Sequence, residues 1–171
     1  MDQPTKGTIN ADLVTPYQRI SGVIVTRNRL LSELLNDSTT AIIELSKAFV
    51  SCLAAPGDIV SYTTAPIYLR KSSVLLAVLA APEKSISERN VYSMFRKLQY
   101  RATLNVRNFE VSGTIESIGK IEFPALLAPG ESFICVNRAR AVMVGSQVTF
   151  EGEEILANKA NIDLVSAVKV D

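Results

Sequence analysis

Val60-Ser61-Tyr62-Thr63-Thr64-Ala65-Pro66-Ile67-Tyr68-Leu69-Arg70-Lys71-Ser72-Ser73-Val74-Leu75-Leu76-Ala77-Val78-Leu79 lines up without a gap on Val148-Thr149-Phe150-Glu151-Gly152-Glu153-Glu154-Ile155-Leu156-Ala157-Asn158-Lys159-Ala160-Asn161-Ile162-Asp163-Leu164-Val165-Ser166-Ala167. Ile67 falls on Ile155, Lys71 on Lys159 and Val74 on Ile162. Shorter matches precede it in the same order. Ile20-Ser21-Gly22-Val23-Ile24 pairs with Val111-Ser112-Gly113-Thr114-Ile115, Leu34-Leu35 with Leu126-Leu127, and Ile42-Ile43-Glu44-Leu45 with Phe133-Ile134-Cys135-Val136. Self-similarity in a fixed order is the trace of a duplicated structural unit, so two related β-rich halves are expected. A second register competes, since Ala55-Pro56-Gly57-Asp58 matches Ala128-Pro129-Gly130-Glu131. Pro-Gly pairs recur in unrelated turns, because Pro sets φ and Gly permits φ > 0, so the long ungapped match carries more weight.

Working outward, the run Val74 to Ala81 is apolar at every position. It is too short to cross a bilayer and reads as a strand buried on both faces. Upstream, residues 1 to 15 are polar and read as a loose terminus. Arg19 to Thr26 is β-rich. Arg29 to Asn36 places Leu30, Leu31, Leu34 and Leu35 at helical spacing with Asn36 as a stop. Thr39 to Leu53 is strand-like, and its apolar positions change phase near Lys47, which predicts a bend or two strands. Ala55 to Asp58 makes a turn, Ile59 to Tyr62 starts a strand, and Arg70 to Ser73 turns the chain into the run at Val74.

Downstream, Ser85-Ile86-Ser87-Glu88 fits a capping box, and Val91, Met94, Phe95 and Leu98 make one apolar stripe. These predict a helix from Ile86 to Gln99. Leu104 and Val106 have one parity, and Phe109, Val111 and Ile115 the other, so a continuous strand there requires a bulge near Arg107-Asn108. Glu110, Ser112, Thr114 and Glu116 would then face solvent. Strands are expected at Phe133–Val136, Ala141–Val144, Gln147–Phe150 and Ile162–Val168, with turns at Gly145-Ser146 and Glu151-Gly152.

The chain has 171 residues, 47% hydrophobic and 20% charged, with a net charge of +1. That composition belongs to an ordinary globular protein with one substantial core or two small ones. So small a net charge gives no global pull towards nucleic acid or an anionic membrane. The N-terminus opens on polar residues with no apolar segment after them, so no secretory signal and a cytoplasmic setting, bacterial or archaeal, are expected. Cys52 and Cys135 form no C-x-x-C motif and read as free thiols of a reducing compartment.

There is no histidine in the chain. Composition thereby excludes Ser/His/Asp and Cys/His catalysis, which need an imidazole to take the nucleophile's proton. It also removes the commonest zinc ligand. Glu151, Glu153 and Glu154 around Gly152 are the densest acidic cluster, but they lack the alternating oxygen-ligand spacing of a calcium loop and read as a solvated turn. Neither G-x-G-x-x-G nor G-x-x-x-x-G-K-[ST] occurs. The expectation is no catalytic residue, no cofactor and no metal.

Five basic residues, Arg89, Arg96, Lys97, Arg101 and Arg107, lie in and just after the expected helix, with Tyr92 and Tyr100 between them. Arg89 and Arg96 would share one helix face, which could hold phosphates while an aromatic ring stacks on a base. A solvated polar face is the plainer reading of the same charges.

Ile20-Ser21-Gly22 followed by Arg29-Leu30-Leu31-Ser32-Glu33-Leu34-Leu35-Asn36 resembles a family of small uncharacterised bacterial β-proteins. Their pattern is a Ser-Gly strand, an Arg-Leu-Ser-acid-Leu-Leu-Asn element and two or three further strands. The resemblance covers residues 18 to 80; here an extra leucine separates Arg29-Leu30 from Ser32, and the second half keeps only Val111-Ser112-Gly113. It implies a fold and no activity. The strand, short helix and strands are also similar to Sm-like small barrels, although the glycine and asparagine RNA-contact motifs of that family are not recognisable here.

The sequence therefore predicts a mainly β fold with one or two short helices, as two related small antiparallel sheets or barrel-like units. The expected boundaries are a loose segment 1–15, a first repeat 16–82, a connecting amphipathic helix 83–101 and a second repeat 102–171. The expected role is a non-enzymatic structural, assembly or regulatory interaction module, acting through β-sheet surfaces and edges on a protein partner or on itself as a homo-oligomer, with no membrane insertion. Val168 and Val170 of the C-terminal strand are the expected interface residues, and a nucleic-acid-binding module is the alternative.

Overall fold

Eleven antiparallel strands carry most of the chain in the computed structural model, which describes residues 7–55, 59–83 and 97–170. In the first half they are β1 (Thr8–Val14), β2 (Gln18–Val25), β3 (Ile42–Cys52), β4 (Ile59–Thr63), β5 (Ile67–Arg70) and β6 (Leu76–Leu79). In the second half they are β7 (Leu98–Val106), β8 (Phe109–Ser117), β9 (Phe133–Met143), β10 (Thr149–Asn158) and β11 (Ile162–Lys169). Two short helices, α1 (Leu31–Asn36) and α2 (Phe123–Leu126), follow β2 and β8. A 3₁₀ turn precedes the last strand of each half, at Lys71–Ser73 and Lys159–Asn161. The orders of elements are similar but not identical, since two strands, β4 and β5, stand in the first half where β10 stands in the second. Within the match that opened the sequence reading, Lys71 and Lys159 start these two turns.

The Ser-Gly pairs have the same local geometry in both halves. β2 and β3 lose register between Ser21 and Val23, and β8 and β9 lose it between Ser112 and Thr114. Opposite each slip the partner strand bends through a residue of positive φ, Lys47 at 49° and Arg138 at 47°. A Cβ on Gly22 would lie 3.1 Å from the Ser46 carbonyl oxygen, and one on Gly113 2.8 Å from that of Asn137. Glycine lets the two backbones close at the bulge. The phase change read near Lys47 is this bend.

All the strands join one sheet in the order β11-β7-β8-β9-β10-β6-β1-β2-β3-β4, with β5 also on β3. The halves are not separate sheets. They meet where β6 pairs with β10, Leu79 opposite Glu154 through Leu76 opposite Ala157. Every residue from Val74 to Leu79 is buried. Leu76 and Val78 enter one hydrophobic cluster with Val106, Phe109, Val136 and Ile155, while Ala77 and Leu79 enter the other with Leu13, Ile24, Leu45 and Leu156. A strand with a core on each face reads as a continuous apolar run, which explains this stretch.

Four expectations are corrected. Thr8–Val14, placed in the loose segment 1–15, is an interior strand paired with both β2 and β6. The connecting helix, drawn over 83–101, falls largely outside the described residues, but Leu98 and Gln99 at its expected end pair with Ser117 and Glu116 as strand β7. Arg107-Asn108 is the turn of a tight hairpin rather than a bulge, with Val106 opposite Phe109 and Arg107 at φ 56°. Glu151-Gly152 lies inside β10. A Cβ at Gly152 would stand 2.7 Å from the Leu79 carbonyl oxygen, so this glycine serves a close approach across the seam. The expected turn over 55–58 lies mostly outside the described residues.

Candidate functional site

A concavity of about 470 Å³ lies where the halves meet on the side of the two 3₁₀ turns. Asn36, Asp37 and Lys71 face Ala128, Phe133 and Lys159 across it. Several of its polar groups are engaged in hydrogen bonds. Lys71 is 7% exposed and its ammonium donates to the carbonyls of Leu34 and Asp37 and to Thr40 Oγ1. Burial pushes its pKa down, and the Asp37 carboxylate opposes that shift. Asp37 itself is held well below the usual carboxylate range by the Thr39 hydroxyl and by Arg29, the latter at 2.8 Å. Lys159 donates to the Ala128 carbonyl at 2.7 Å. Across the seam, the Asn36 side chain accepts from Phe133 N at 2.8 Å and donates to Phe133 O at 3.4 Å. Asn158 donates through Nδ2 to Val74 O at 2.8 Å. The Asn36 and Asn158 bonds tie the two halves together.

The open surface lies instead at the two ends of the strand order. β11 pairs only with β7, and β5 only with β3, so each has one edge without a partner strand among the described residues. Both edges carry exposed apolar side chains: Tyr68 at 66%, Leu164 at 48% and Val168 at 69%. Val170 is 42% exposed, and its N–H donates to Gln99 O at 2.8 Å, which extends β11 by one residue. The slip between Ile162 and Leu164 turns Ile162, Val165 and Ala167 onto the core and Leu164, Ser166 and Val168 outward. The apolar line read through Ile162, Leu164, Val168 and Val170 is therefore broken at its first member. Val168 and Val170 both remain on the outside.

Of the five basic residues, Lys97, Arg101 and Arg107 are among the described residues and are spread along β7. Lys97 sits 3.4 Å from Glu116 at the start of β7, and Arg107 donates to Asn161 Oδ1 at 2.9 Å beyond its end. Arg101 is exposed between them, opposite Thr114 and Val168. At a strand rise of about 3.3 Å per residue, Arg101 and Arg107 stand roughly 20 Å apart. Arg89, Arg96 and Tyr92 lie outside the described residues. Cys52 and Cys135 are both half-buried. Glu151 and Glu153 are exposed in β10, and Arg140 stands 3.4 Å from Glu151. No group of side chains that could hold a metal ion occurs among the described residues. No described helix is long and apolar enough to cross a membrane. No family model, curated protein or solved structure matches the chain.

Sequence reasoning identified Val168 and Val170 by the apolarity of the last strand. It missed Tyr68 as an edge residue, because a strand's place in the sheet order is a non-local property. A tyrosine beside a proline, as in Pro66-Ile67-Tyr68, was the available hint, since proline within sheets is confined to edges and strand starts.

Proposed function

We propose that this chain is a non-enzymatic interaction module that binds protein through its open strand edges. The observation that carries the reading is the pair of unpartnered edges at β5 and β11, set at opposite ends of one sheet and bearing exposed apolar side chains. An unpaired strand edge presents a row of backbone donors and acceptors that a further strand can complete, and natural proteins usually blunt such edges when they are not used. On these two edges Tyr68, Leu164 and Val168 share the exposed positions with Arg70, Asp163 and Lys169. Histidine-free composition supports a role outside acid–base catalysis.

The test is recovery of the tagged protein from its own cells, as wild type and with both edges blocked by Tyr68→Pro and Leu164→Lys. Association confined to the wild type is expected. Equal recovery of the same proteins by both forms, with the variant folded, overturns the reading.

A further inference from the structure

We propose that the occupant of these edges is a second copy of the chain, added head to tail, with β11 of one copy pairing with β5 of the next as β6 pairs with β10 inside the chain. This rests on the edge reading above and names the partner.

The seam inside the chain is the template. Its two strands have positional equivalents 88 residues away, in the register of the ungapped match. β6 corresponds to Leu164–Ala167 of β11, and Ile155–Asn158 of β10 correspond to β5. Both members of the seam are thus present a second time, and in their second setting each has one edge without a partner strand among the described residues. The local frames agree as well. Lys71 N donates to Ala41 O and Lys159 N to Ser132 O, while Lys71 Nζ reaches Asp37 O and Lys159 Nζ reaches Ala128 O. Ala41 and Ser132, like Asp37 and Ala128, stand 91 positions apart, the same offset as the Ser-Gly bulges.

Carrying the seam register across sets Tyr68 opposite Val165 and Leu69 opposite Leu164 of the next copy. Each of these pairs sets an exposed side chain, Tyr68 or Leu164, against a half-buried one that packs on the core of the other copy. By the 91-residue offset, which replaces the Leu34-Leu35 to Leu126-Leu127 match here, the Asn36 to Phe133 contact of the seam transfers to Leu127 and Ile42, which are 46% and 45% exposed. An amide–backbone pair is replaced by two apolar side chains. Asn158 N donates to Leu75 O at the seam, and the same transfer sets Arg70 beside Asp163. Both are exposed, and their charges are complementary. Of the four pairs of the β6–β10 ladder, the one at Glu154 transfers to Pro66, which has no N–H to donate, and the other three fall within β5. Because the two surfaces differ, every copy offers one of each, and the assembly closes as a ring or extends as a filament.

Light scattering tests this on the intact chain. The wild type is expected at integer multiples of 18.6 kDa above one. Tyr68→Pro and Leu164→Lys, each blocking one edge, are each expected as monomers, and their mixture as a 1:1 dimer, since one free β11 meets one free β5. Circular dichroism confirms that each variant is folded. Should either fail to fold, a charge exchange replaces it. Arg70→Glu and Asp163→Arg should each weaken self-association about tenfold, and the double variant should restore it. Single-edge variants that remain multimeric, or a mixture that does not dimerise, overturn the head-to-tail arrangement and leave edge-mediated binding standing. A wild type that stays monomeric at its highest soluble concentration also overturns self-pairing. Edge-dependent recovery of other proteins in the preceding experiment then decides whether the broader reading survives.

Discussion

Leu76 and Leu164 occupy matching places, each three residues beyond its 3₁₀ turn, and their surroundings differ. Leu76 is fully buried in β6 between two paired strands, whereas Leu164 is 48% exposed on β11 with a partner on one side only. The same contrast separates Leu156 of β10, 1% exposed, from Tyr68 of β5, 66% exposed. Local sequence therefore does not decide burial in this fold. The neighbour in the sheet does, and the chain supplies a neighbour for one set of equivalent strands while leaving the other set at its ends.

The sharpest way to break this comparison is truncation on both sides of it. Leu76→Ala should cost about 3 kcal/mol of stability, as expected for a fully enclosed leucine. Leu164→Ala in dilute protein should cost about 0.5 kcal/mol, the usual size of a surface change. Denaturant titration measures both. If the second figure grows with protein concentration, the edge is covered by association, since binding stabilises by mass action. Equal costs at all concentrations would mean that β11 is already covered within one chain.

Next in size is Gly152→Ala. The added methyl must displace the Leu79 carbonyl, so a loss of about 2 kcal/mol is expected. At the equivalent place by the edge, Thr64 already carries a side chain, and Thr64→Gly should shift stability by no more than about 1 kcal/mol. A smaller effect follows at the amide clamp. Asn36→Ala leaves the buried Phe133 N–H without its acceptor and should cost about 1–2 kcal/mol. Leu127→Ala, in the matching position, should be close to neutral in a monomer. Thermal midpoints rank these pairs.

The smallest effects are in pH. Glu83 accepts from the N–H groups of Leu31 and Ser32, and burial raises its pKa above the ordinary 4.5 in spite of those bonds. Its native form thus binds the proton more tightly than its unfolded form. The stability this contributes is complete below pH 4.5 and is lost as pH rises through the raised value. Glu83→Gln should flatten that decline. Asp37 has the opposite sign, since its pKa is lowered from 3.8 and its contribution is lost as pH falls. Asp37→Asn should therefore flatten the acid limb. Stability curves against pH for the two variants check both slopes.

Some of this architecture was legible because its cause is local. The continuous apolar run at Val74, the leucine spacing of α1 and the phase change at Lys47 each follow from what one strand or turn requires. β1 was missed because Asn10 and Asp12 interrupt its apolarity, and Asp12 is accommodated only by an ion pair with Arg19 on the neighbouring strand. The hairpin at Arg107-Asn108 has no glycine to announce it, and an arginine takes the positive φ. Gly152 was read as a turn because a glycine gives the same local signal whether it turns a chain or admits a neighbouring carbonyl. At the candidate site, the apolar outer face of β11 could be read from its own residues. Asn36 and Phe133 stand 97 positions apart and carry no mutual signal.

The alternation along β6 has a thermodynamic consequence. Leu76 and Val78 belong to one core and Ala77 and Leu79 to the other, so a single strand forms a wall of both. Melting either core releases that strand and strips the second core of the same wall. The two halves should consequently denature as one cooperative event, with calorimetric and van't Hoff enthalpies equal, however clearly the chain divides on paper.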